Sequence, residues 1–495
     1  MRIACRPSST SHAIHPWQST WLVVLVLLGA HQLISHSYSH VQKHVIIATD
    51  TFYPEIVASG TPAQVRAYKA AIASQLALLH GPTGRDMLAE AFKNLPNLET
   101  IDIRDFNSNT RNRDGTRWRS YGAPTMERTI NRAMDIGTST QTQFIKQIYT
   151  VTLAALAAAE VRPPNLEIVL RSPGWGLPDS SMYIPRWLEP SMAPVLAGLK
   201  KLHLTLAFDS NSDRLFQARS ENAEAISSSF TRKFLTYTPN VTWLRINFRM
   251  HDPMNMDRVG PSPNERFLDW LATPAEDTSP LSYDDPKPVA LAALENLELG
   301  VLDVNYRSIW PLVQKFAPSL RALTFWKVTL TVRNDKHIAE GWSPNLWASV
   351  FSRLSEATQK GELSLRDLHV GHLRQSYPVA GHPGFGPSHV VSFADSHAKT
   401  RSAVRAYSDS LQSMESFLDS LVNDGEVNAP FTMSRAGSGM NSPLNNALQD
   451  LIGALAVDDE DDEDESNSDE SEEDEGDSNE SEEDELMSNE GDADN

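Results

Sequence analysis

The feature that most constrains the fold is a short apolar motif that recurs along the chain. It consists of an apolar residue, two further positions, an apolar residue, one position and a third apolar residue. Copies begin at Leu98, Leu199, Val241, Leu294, Leu320 and Leu365, and a degenerate copy lies at Leu166. The last apolar positions alternate with the period of a β-strand, and turn-forming pairs such as Pro-Asn and Pro-Ser come before them. The motif therefore predicts a turn and a short strand at each copy.

Helical segments come before these strands. The clearest spans 63–79, because Thr61 and Gln64 supply a capping box around Pro62 at the first helical position. The same helical spacing is found over 85–94 and at Phe144, Ile148, Val151 and Ala155. Further helices are predicted to end within 194–199, 233–239, 291–296 and 312–320. The chain thus repeats one unit, in which a helix is followed by a turn and a strand.

A unit of this kind buries both sides of its strand only when copies stack beside one another. Stacking produces a parallel sheet with helices on one face. Over 41–375 we therefore expect an α/β fold, an irregular leucine-rich-repeat-like solenoid. The steps between copies are uneven, whereas regular repeats take about 20–29 residues, so long insertions are indicated. The alternative is an ordinary α/β domain whose buried strands happen to follow helices.

The N-terminal residues 1–40 differ from this central part. An apolar run over 21–30 follows Arg2 and Arg6, but it is too short to cross a bilayer, which takes about 20 residues. We expect 1–40 to be a leader that is unstructured or signal-like. The single cysteine, Cys5, permits no intramolecular disulfide, which favours the cytoplasm or nucleus. The alternative is entry into the secretory pathway through 21–30, and membrane association stays open.

The acidity of the chain is concentrated at its C-terminus. The formal net charge is −21, yet residues 458–495 hold 23 of the 64 acidic residues and none of the 43 basic ones. The first 457 residues therefore carry 41 acidic and 43 basic side chains. We expect 458–495 to be a disordered tail, because like charges repel and apolar residues are almost absent. An acidic residue three positions later makes three serines candidates for an acid-directed kinase: Ser466, Ser471 and Ser481.

Residues 376–457 connect the repeats to this tail. The stretch 374–400 is rich in Gly, Pro, His and Ser, which predicts a loop. Apolar residues at helical spacing predict closing helices over 402–422 and 444–455. This region is therefore expected to contain a loop and closing helices.

Three stretches together resemble fungal F-box/leucine-rich-repeat proteins: LPNLETIDIRDFNSNTRNRDGTRWRSYG (95–122), APSLRALTFWKVTL (317–330) and HVIIATDTFYPE (44–55). The resemblance covers about 41–375. It implies that the repeats hold a partner protein, as in the substrate-receptor part of a ubiquitin ligase. In that family an F-box binds a Skp-type adaptor, but residues 1–40 contain no Leu-Pro-x-Glu-x-Leu opening. A Skp-type adaptor is therefore expected only if an F-box exists.

The chain contains no phosphate-binding loop, no nucleophile-elbow motif and no His-Glu-x-x-His pair. We therefore expect no enzymatic activity, no cofactor and no nucleic-acid partner. Five histidines lie in or near the predicted loop without a regular ligand spacing, so no metal site is expected either. They are His369, His372, His382, His389 and His397.

The segment 104–121, directly after the first motif strand, is the best candidate for binding a partner. Guanidinium groups beside aromatic rings suit an anionic partner surface, and insertions after repeat strands often form binding loops. The structural alternative is that Asp102, Asp105 and Asp114 pair with these arginines. The candidate partner-binding residues are Arg104, Arg111, Arg113, Arg117, Trp118 and Arg119, with Tyr121 beside them.

Overall fold

One large, mostly parallel sheet with helices packed on it organises the structure, a computed structural model of α/β class. The structure describes residues 20–23 (backbone only), 42–49, 61–105, 128, 142–171, 176–208, 228–248, 261–276, 286–332, 344–377, 388–394, 401–408 and 413–428. All of these residues lie in the first of two units of the chain, Met1–Ser438.

Within these ranges the strands are β1 (Thr20–Val23), β2 (Gln42–Ala48), β3 (Thr100–Arg104), β4 (Asn165–Val169), β5 (Lys201–Leu206), β6 (Trp243–Phe248), β7 (Asn296–Asn305), β8 (Ala322–Thr331), β9 (Asp367–Gly371), β10 (Arg374–Ser376), β11 (His389–Ala394), β12 (Arg401–Ser402), β13 (Val404–Ser408) and β14 (Gly425–Val427). The α-helices are α1 (Pro62–His80), α2 (Pro82–Lys93), α3 (Thr142–Ala159), α4 (Glu189–Ala197), α5 (Ser229–Thr236), α6 (Pro263–Ala272), α7 (Tyr306–Phe316), α8 (Leu346–Gln359) and α9 (Met414–Asp424), and a 3-10 helix spans Asp179–Met182.

Neighbouring strands of the sheet follow one another in the order of the chain. Each strand from β1 to β8 pairs in parallel with the next one. Every connection between consecutive strands from β2 to β9 contains at least one α-helix. After β9, strand β10 also runs parallel to β8, and the antiparallel strands β11 and β13 pair with β10 and β9. Strands β12 and β14 add to β11.

The recurring motif forms the buried rows of this sheet, and the strand predicted at each copy is confirmed. Its middle apolar positions pair across seven adjacent strands, and each of them is at most 1% exposed. The degenerate copy fits this register with Leu166 at the middle position rather than the first. The paired residues are Ile101, Leu166, Leu202, Leu244, Leu297, Leu323 and Leu368.

The helix ends follow the capping signals where these are present. Thr61 and Gln64 form the predicted capping box at the start of α1. Ser262 and Glu265 form a second capping box at the start of α6. The helix end predicted within 291–296 is wrong, because α6 ends at Ala272 and Leu291 has a φ of +43°, which no helix continues.

The region after β9 departs from the predicted loop and closing helix. Strands β10 and β11 lie inside the stretch 374–400, and β13 occupies the first part of the helix predicted over 402–422. That helix begins only at Met414, where Ser413 accepts the capping bond from Ser416. Pairing of β13 with β9 and of β11 with β10 outweighs local propensity here. The helix predicted over 444–455 and the tail 458–495 lie outside the described residues.

Four residues of the predicted leader, Thr20–Val23, form β1, which pairs in parallel with β2. The remainder of 1–40 lies outside the described residues, and the expectation of an unstructured or signal-like leader stays a prediction. Among the residues that are described, no helix is both long enough and apolar enough to span a membrane.

Candidate functional site

The face of the sheet opposite the helices is the best candidate for a functional surface. The motif residues and the buried sides of the helices form one hydrophobic cluster. The alternate residues of each strand therefore point to the other face. We call this second face, over β5–β9, the open face. Its residues are Lys201, His203 and Thr205; Trp243, Arg245 and Asn247; Asn296, Glu298 and Gly300; Ala322, Thr324 and Trp326; and Asp367, His369 and Gly371.

Exposure divides this side of the sheet into two parts. On β3 and β4, Asp102, Arg104 and Glu167 on this side of the sheet are 2% exposed or less. On β6, by contrast, half-buried and buried residues alternate strictly. Side chains on this side of the sheet are therefore accessible to a partner from β6 onwards, whereas those of β3 and β4 form a buried polar network.

Asp102 is the centre of that buried network. The Arg104 guanidinium forms an ion pair with its carboxylate, and His44 Nε2 lies 3.3 Å from the same oxygen. Burial raises the pKa of Asp102, but the charge of Arg104 and the His44 contact outweigh burial and hold the pKa below its usual value. On the adjacent strands Lys201 pairs with Glu167 at 3.1 Å. These side chains fix strands to one another, and Asp102, Arg104 and Glu167 are enclosed while Lys201 is half-buried.

Trp243 is the centre of the first accessible cluster. Lys201 Nζ lies 4.1 Å from the centroid of its ring, and His203 meets the ring edge-on with centroids 5.6 Å apart. The indole Nε1 donates to Glu298 at 2.5 Å, and Arg245 lies 3.5 Å from the same carboxylate. Since the charges pair within the cluster, Trp243 is held in one orientation with its ring half-buried. A preordered aromatic ring loses little entropy when a partner packs on it.

Trp326 is the second aromatic side chain, and glycine makes its position possible. A Cβ atom at Gly371 would lie 2.1 Å from Trp326 Cζ3, so the indole lies directly against the β9 backbone. The ring centroids of His369 and His372 lie 5.3 Å and 5.0 Å from that of Trp326. Gly300 plays the same part on β7, where a Cβ would meet Asn247 Oδ1 at 2.2 Å.

A line of left-handed backbone conformations crosses the sheet next to Trp326. Val301, Lys327 and His372 have φ values of +52°, +55° and +51°. Each directly follows a residue of one register row, formed by Gly300, Trp326 and Gly371. This conformation costs a residue with a side chain about 1–2 kcal/mol. Val301, Lys327 and His372 are each an extra residue at this point of the chain, as in a β-bulge. The alternation of side chains between the two faces of the sheet resumes one residue later, and the three strands bend together beside Trp326.

The predicted binding segment 104–121 is described only in part. Arg104 ends β3, is fully buried and pairs with Asp102, so for this residue the structural alternative applies and it is not an accessible binding residue. Asp105 accepts a bond from the backbone N–H of Arg171 at 2.8 Å. The other candidates, Arg111, Arg113, Arg117, Trp118 and Arg119, lie outside the described residues, as do Ser466, Ser471 and Ser481.

The histidines assigned to a loop are partly in strands. His369 lies in β9 and His389 in β11, where its ring lies 5.7 Å from that of Tyr377. His382 and His397 lie outside the described residues. Within the described ranges, no group of three or more His, Cys, Asp or Glu side chains is placed to hold a metal ion.

Sequence reasoning missed Trp243, Trp326 and the bend beside it. Two signals were present. Trp243 occupies the spacer position directly before a middle apolar residue, where a strand side chain points away from the core. The bend has a sequence signal in three strands. In each, two consecutive residues outside the core interrupt the alternation of apolar and spacer positions, as in Leu299-Gly300-Val301-Leu302. Both signals identify a candidate site only when it is known that these strands are adjacent in the sheet.

A scan against models of known protein families finds no match to this chain, and a search of the curated proteins finds none either. The open face is therefore interpreted from its own chemistry.

Proposed function

We propose that the chain is an irregular leucine-rich-repeat-like solenoid. The support is the strand order: from β1 to β9, each strand lies beside the strand that comes next in the chain. Several of the helices between these strands also pack against the helix that follows, as α7 does against α8. A parallel sheet that grows by one strand per helix, over one continuous core, is the architecture expected of stacked repeats.

The biochemical role proposed is that of a protein-interaction scaffold that binds a partner protein on the open face. The observation that carries it is the pair of half-buried indoles, Trp243 and Trp326, each held in place by neighbouring strands. Tryptophan and arginine are the residues most often found at the energetic centres of protein interfaces. The bend at Val301, Lys327 and His372 supports the same surface, since strained backbone concentrates at functional sites.

The resemblance to F-box/leucine-rich-repeat proteins refines this role to that of a substrate receptor in the cytoplasm or nucleus, without catalysis by the chain itself. Copurification of a Skp-type adaptor and a cullin with the full chain tests this refinement. Their absence from a complex that still contains the open-face partner would leave a scaffold and remove the ligase role.

The scaffold role is tested by blocking the open face. Thr324, half-buried at the middle of this face, is replaced by Arg, and Ser352, half-buried on α8, is replaced by Arg as the matched control. Partners that copurify with the wild-type chain are identified, and the affinity of the purified partner is measured for each variant. We expect Thr324→Arg to weaken binding at least about tenfold, equivalent to 1.4 kcal/mol, and Ser352→Arg to leave it unchanged. Equal affinities for wild type and Thr324→Arg would refute the proposal.

A further inference from the structure

The helix side of the molecule exposes an aromatic patch that the open face does not include. Tyr183 is 52% exposed, Trp187 is 78% exposed and Phe230 is 37% exposed. Taking about 200 Å² for each aromatic side chain, the three present roughly 300 Å² of apolar surface to solvent. Contiguous apolar patches of this size on a protein surface often mark interaction sites.

The three residues belong to one surface because the segment 183–189 runs beside α5. At one end, the rings of Tyr183 and Phe230 meet nearly edge-on with centroids 5.1 Å apart. At the other end, Tyr237 directly follows α5 and lies beside Glu189, and burial together with the nearby Glu189 raises the pKa of the Tyr237 hydroxyl. Trp187 lies in the segment that joins these two contacts.

The patch is held rigidly from below. The buried Asp179 carboxylate caps α5, accepting bonds from the backbone N–H groups of Phe230 and Thr231 at 3.2 Å and 2.8 Å. The next turn of the chain is fixed to α3, where the Tyr149 hydroxyl donates to Met182 Sδ at 3.1 Å. An exposed aromatic patch on a fixed support loses little conformational freedom when it is covered.

Among the described residues of the segment 183–189 and of α5, positive charges outnumber negative ones. Arg186 and Lys233 are exposed, and Lys146 donates to Ser180 Oγ at 3.0 Å beside the 3-10 helix. The acidic residue of the segment 183–189 is Glu189, which lies beside Tyr237. A lipid surface is a poorer fit, since stable membrane anchoring needs a larger apolar face or a longer basic cluster.

We propose that this aromatic patch is a second docking surface, and that it binds an acidic segment of a partner protein whose apolar side chains cover Trp187. The acidic residues of the segment lie against Arg186 and Lys233. With the open face on the other side of the sheet, the chain then holds two partners at once, which goes beyond the function proposed above.

A peptide selection on the full chain tests this inference. A random peptide library displayed on phage is depleted on the Trp187→Ala variant and then selected on the wild-type protein. Trp187 is exposed, so its replacement is expected to leave the melting temperature unchanged. We expect the enriched peptides to combine acidic with apolar residues and to bind at least tenfold more weakly to Trp187→Ala and to the double variant Arg186→Glu, Lys233→Glu. Binding should also weaken as salt is raised.

Two matched variants serve as controls. Leu76→Ala removes another exposed apolar side chain, and Lys69→Glu reverses another exposed charge, both on α1. Neither is expected to change the affinity, and Thr324→Arg on the open face should not change it either.

Several outcomes would overturn the inference. Enrichment of no peptide, or of basic peptides, removes the acidic partner. Binding to phosphatidylserine vesicles that Trp187→Ala abolishes assigns the patch to a membrane, and a dimer that Trp187→Ala dissolves assigns it to a second copy of this chain. Loss of peptide binding in Thr324→Arg alone moves the peptide to the open face, in which case the proposed function stands and this inference fails.

Discussion

Replacement of Leu297 tests the packing of the sheet most sharply. Leu297 is 0% exposed on β7 and pairs in register with Leu244 and Leu323, which are 0% and 1% exposed. Leu297→Ala removes three carbon atoms from the middle of a buried row. Because the flanking strands are hydrogen-bonded to β7, the space cannot close by simple collapse.

The magnitude follows from burial and from the cavity left behind. Buried Leu→Ala replacements cost about 2–5 kcal/mol, and a site that cannot collapse lies in the upper part of that range. We therefore expect Leu297→Ala to lower the free energy of unfolding by about 4 kcal/mol. Leu297→Asp adds the burial of a charge. Since natural domains are stable by about 5–15 kcal/mol in total, this second variant is expected to fold poorly or not at all.

Urea denaturation followed by circular dichroism measures the effect, with Leu76→Ala as the control. Leu76 is 45% exposed on α1, so the same chemical change there should cost less than about 1 kcal/mol. A loss below about 1 kcal/mol for Leu297→Ala, or a wild-type melting temperature for Leu297→Asp, would show that the strand register described here is incorrect.

Three further predictions concern Asp102, the glycines of β7 and β9, and the arginines of 104–121. Asp102→Asn should cost about 3 kcal/mol at neutral pH, because it removes the carboxylate paired with the buried Arg104. The pKa of Asp102 is lowered in the folded state, so its contribution is complete above the unfolded pKa of about 3.9 and is lost as the pH falls through the folded value. The difference between the two proteins, measured by urea denaturation, should therefore narrow in acid, and a difference that is constant with pH would contradict this. Gly371→Ala should cost about 1–3 kcal/mol, because Trp326 must move. Gly300→Ala should cost less, because the added Cβ meets the end of the Asn247 side chain. A larger loss of stability for Gly300→Ala than for Gly371→Ala would rule out the position assigned to Trp326 against β9. Replacing Arg111, Arg113 and Arg117 by Glu should lower the melting temperature and leave copurifying partners unchanged if these arginines are structural like Arg104, whereas unchanged stability with lost partners would assign them to binding.

The strands were predictable because their signal is local. In each copy of the motif the apolar residues that alternate, such as Leu244 and Ile246, are also the ones that the structure buries. The capping box at Thr61 and Gln64 is local in the same way. Whether one face of the sheet is exposed to solvent depends on which elements lie beside each strand. The residue pattern within a single strand does not carry that information.

The candidate site was far less predictable. Trp326 lies against Gly371, a residue 45 positions later in the chain, and Trp243 is hydrogen-bonded to Glu298, 55 positions away. These partners become identifiable only when the register between strands is known. The strands β11 and β13 were missed for a related reason, because they exist as additions to the edge formed by β9 and β10. Arg104 belongs to an arginine-rich segment that is typical of a binding loop, and only its burial beside Asp102 shows that it has a structural role.

Site-specific cross-linking tests the central claim most directly, since it asks where a partner lies on the folded chain. A photoreactive amino acid no larger than leucine, too small to block the face as Arg does, is placed at Thr324 on the open face in one protein and at Ser352 on α8 in another, and each is irradiated with the bound partner. The open-face scaffold predicts a covalent adduct with the partner from position 324 and none from position 352. An adduct from position 352 alone, or from neither position while the partner stays bound, would contradict it.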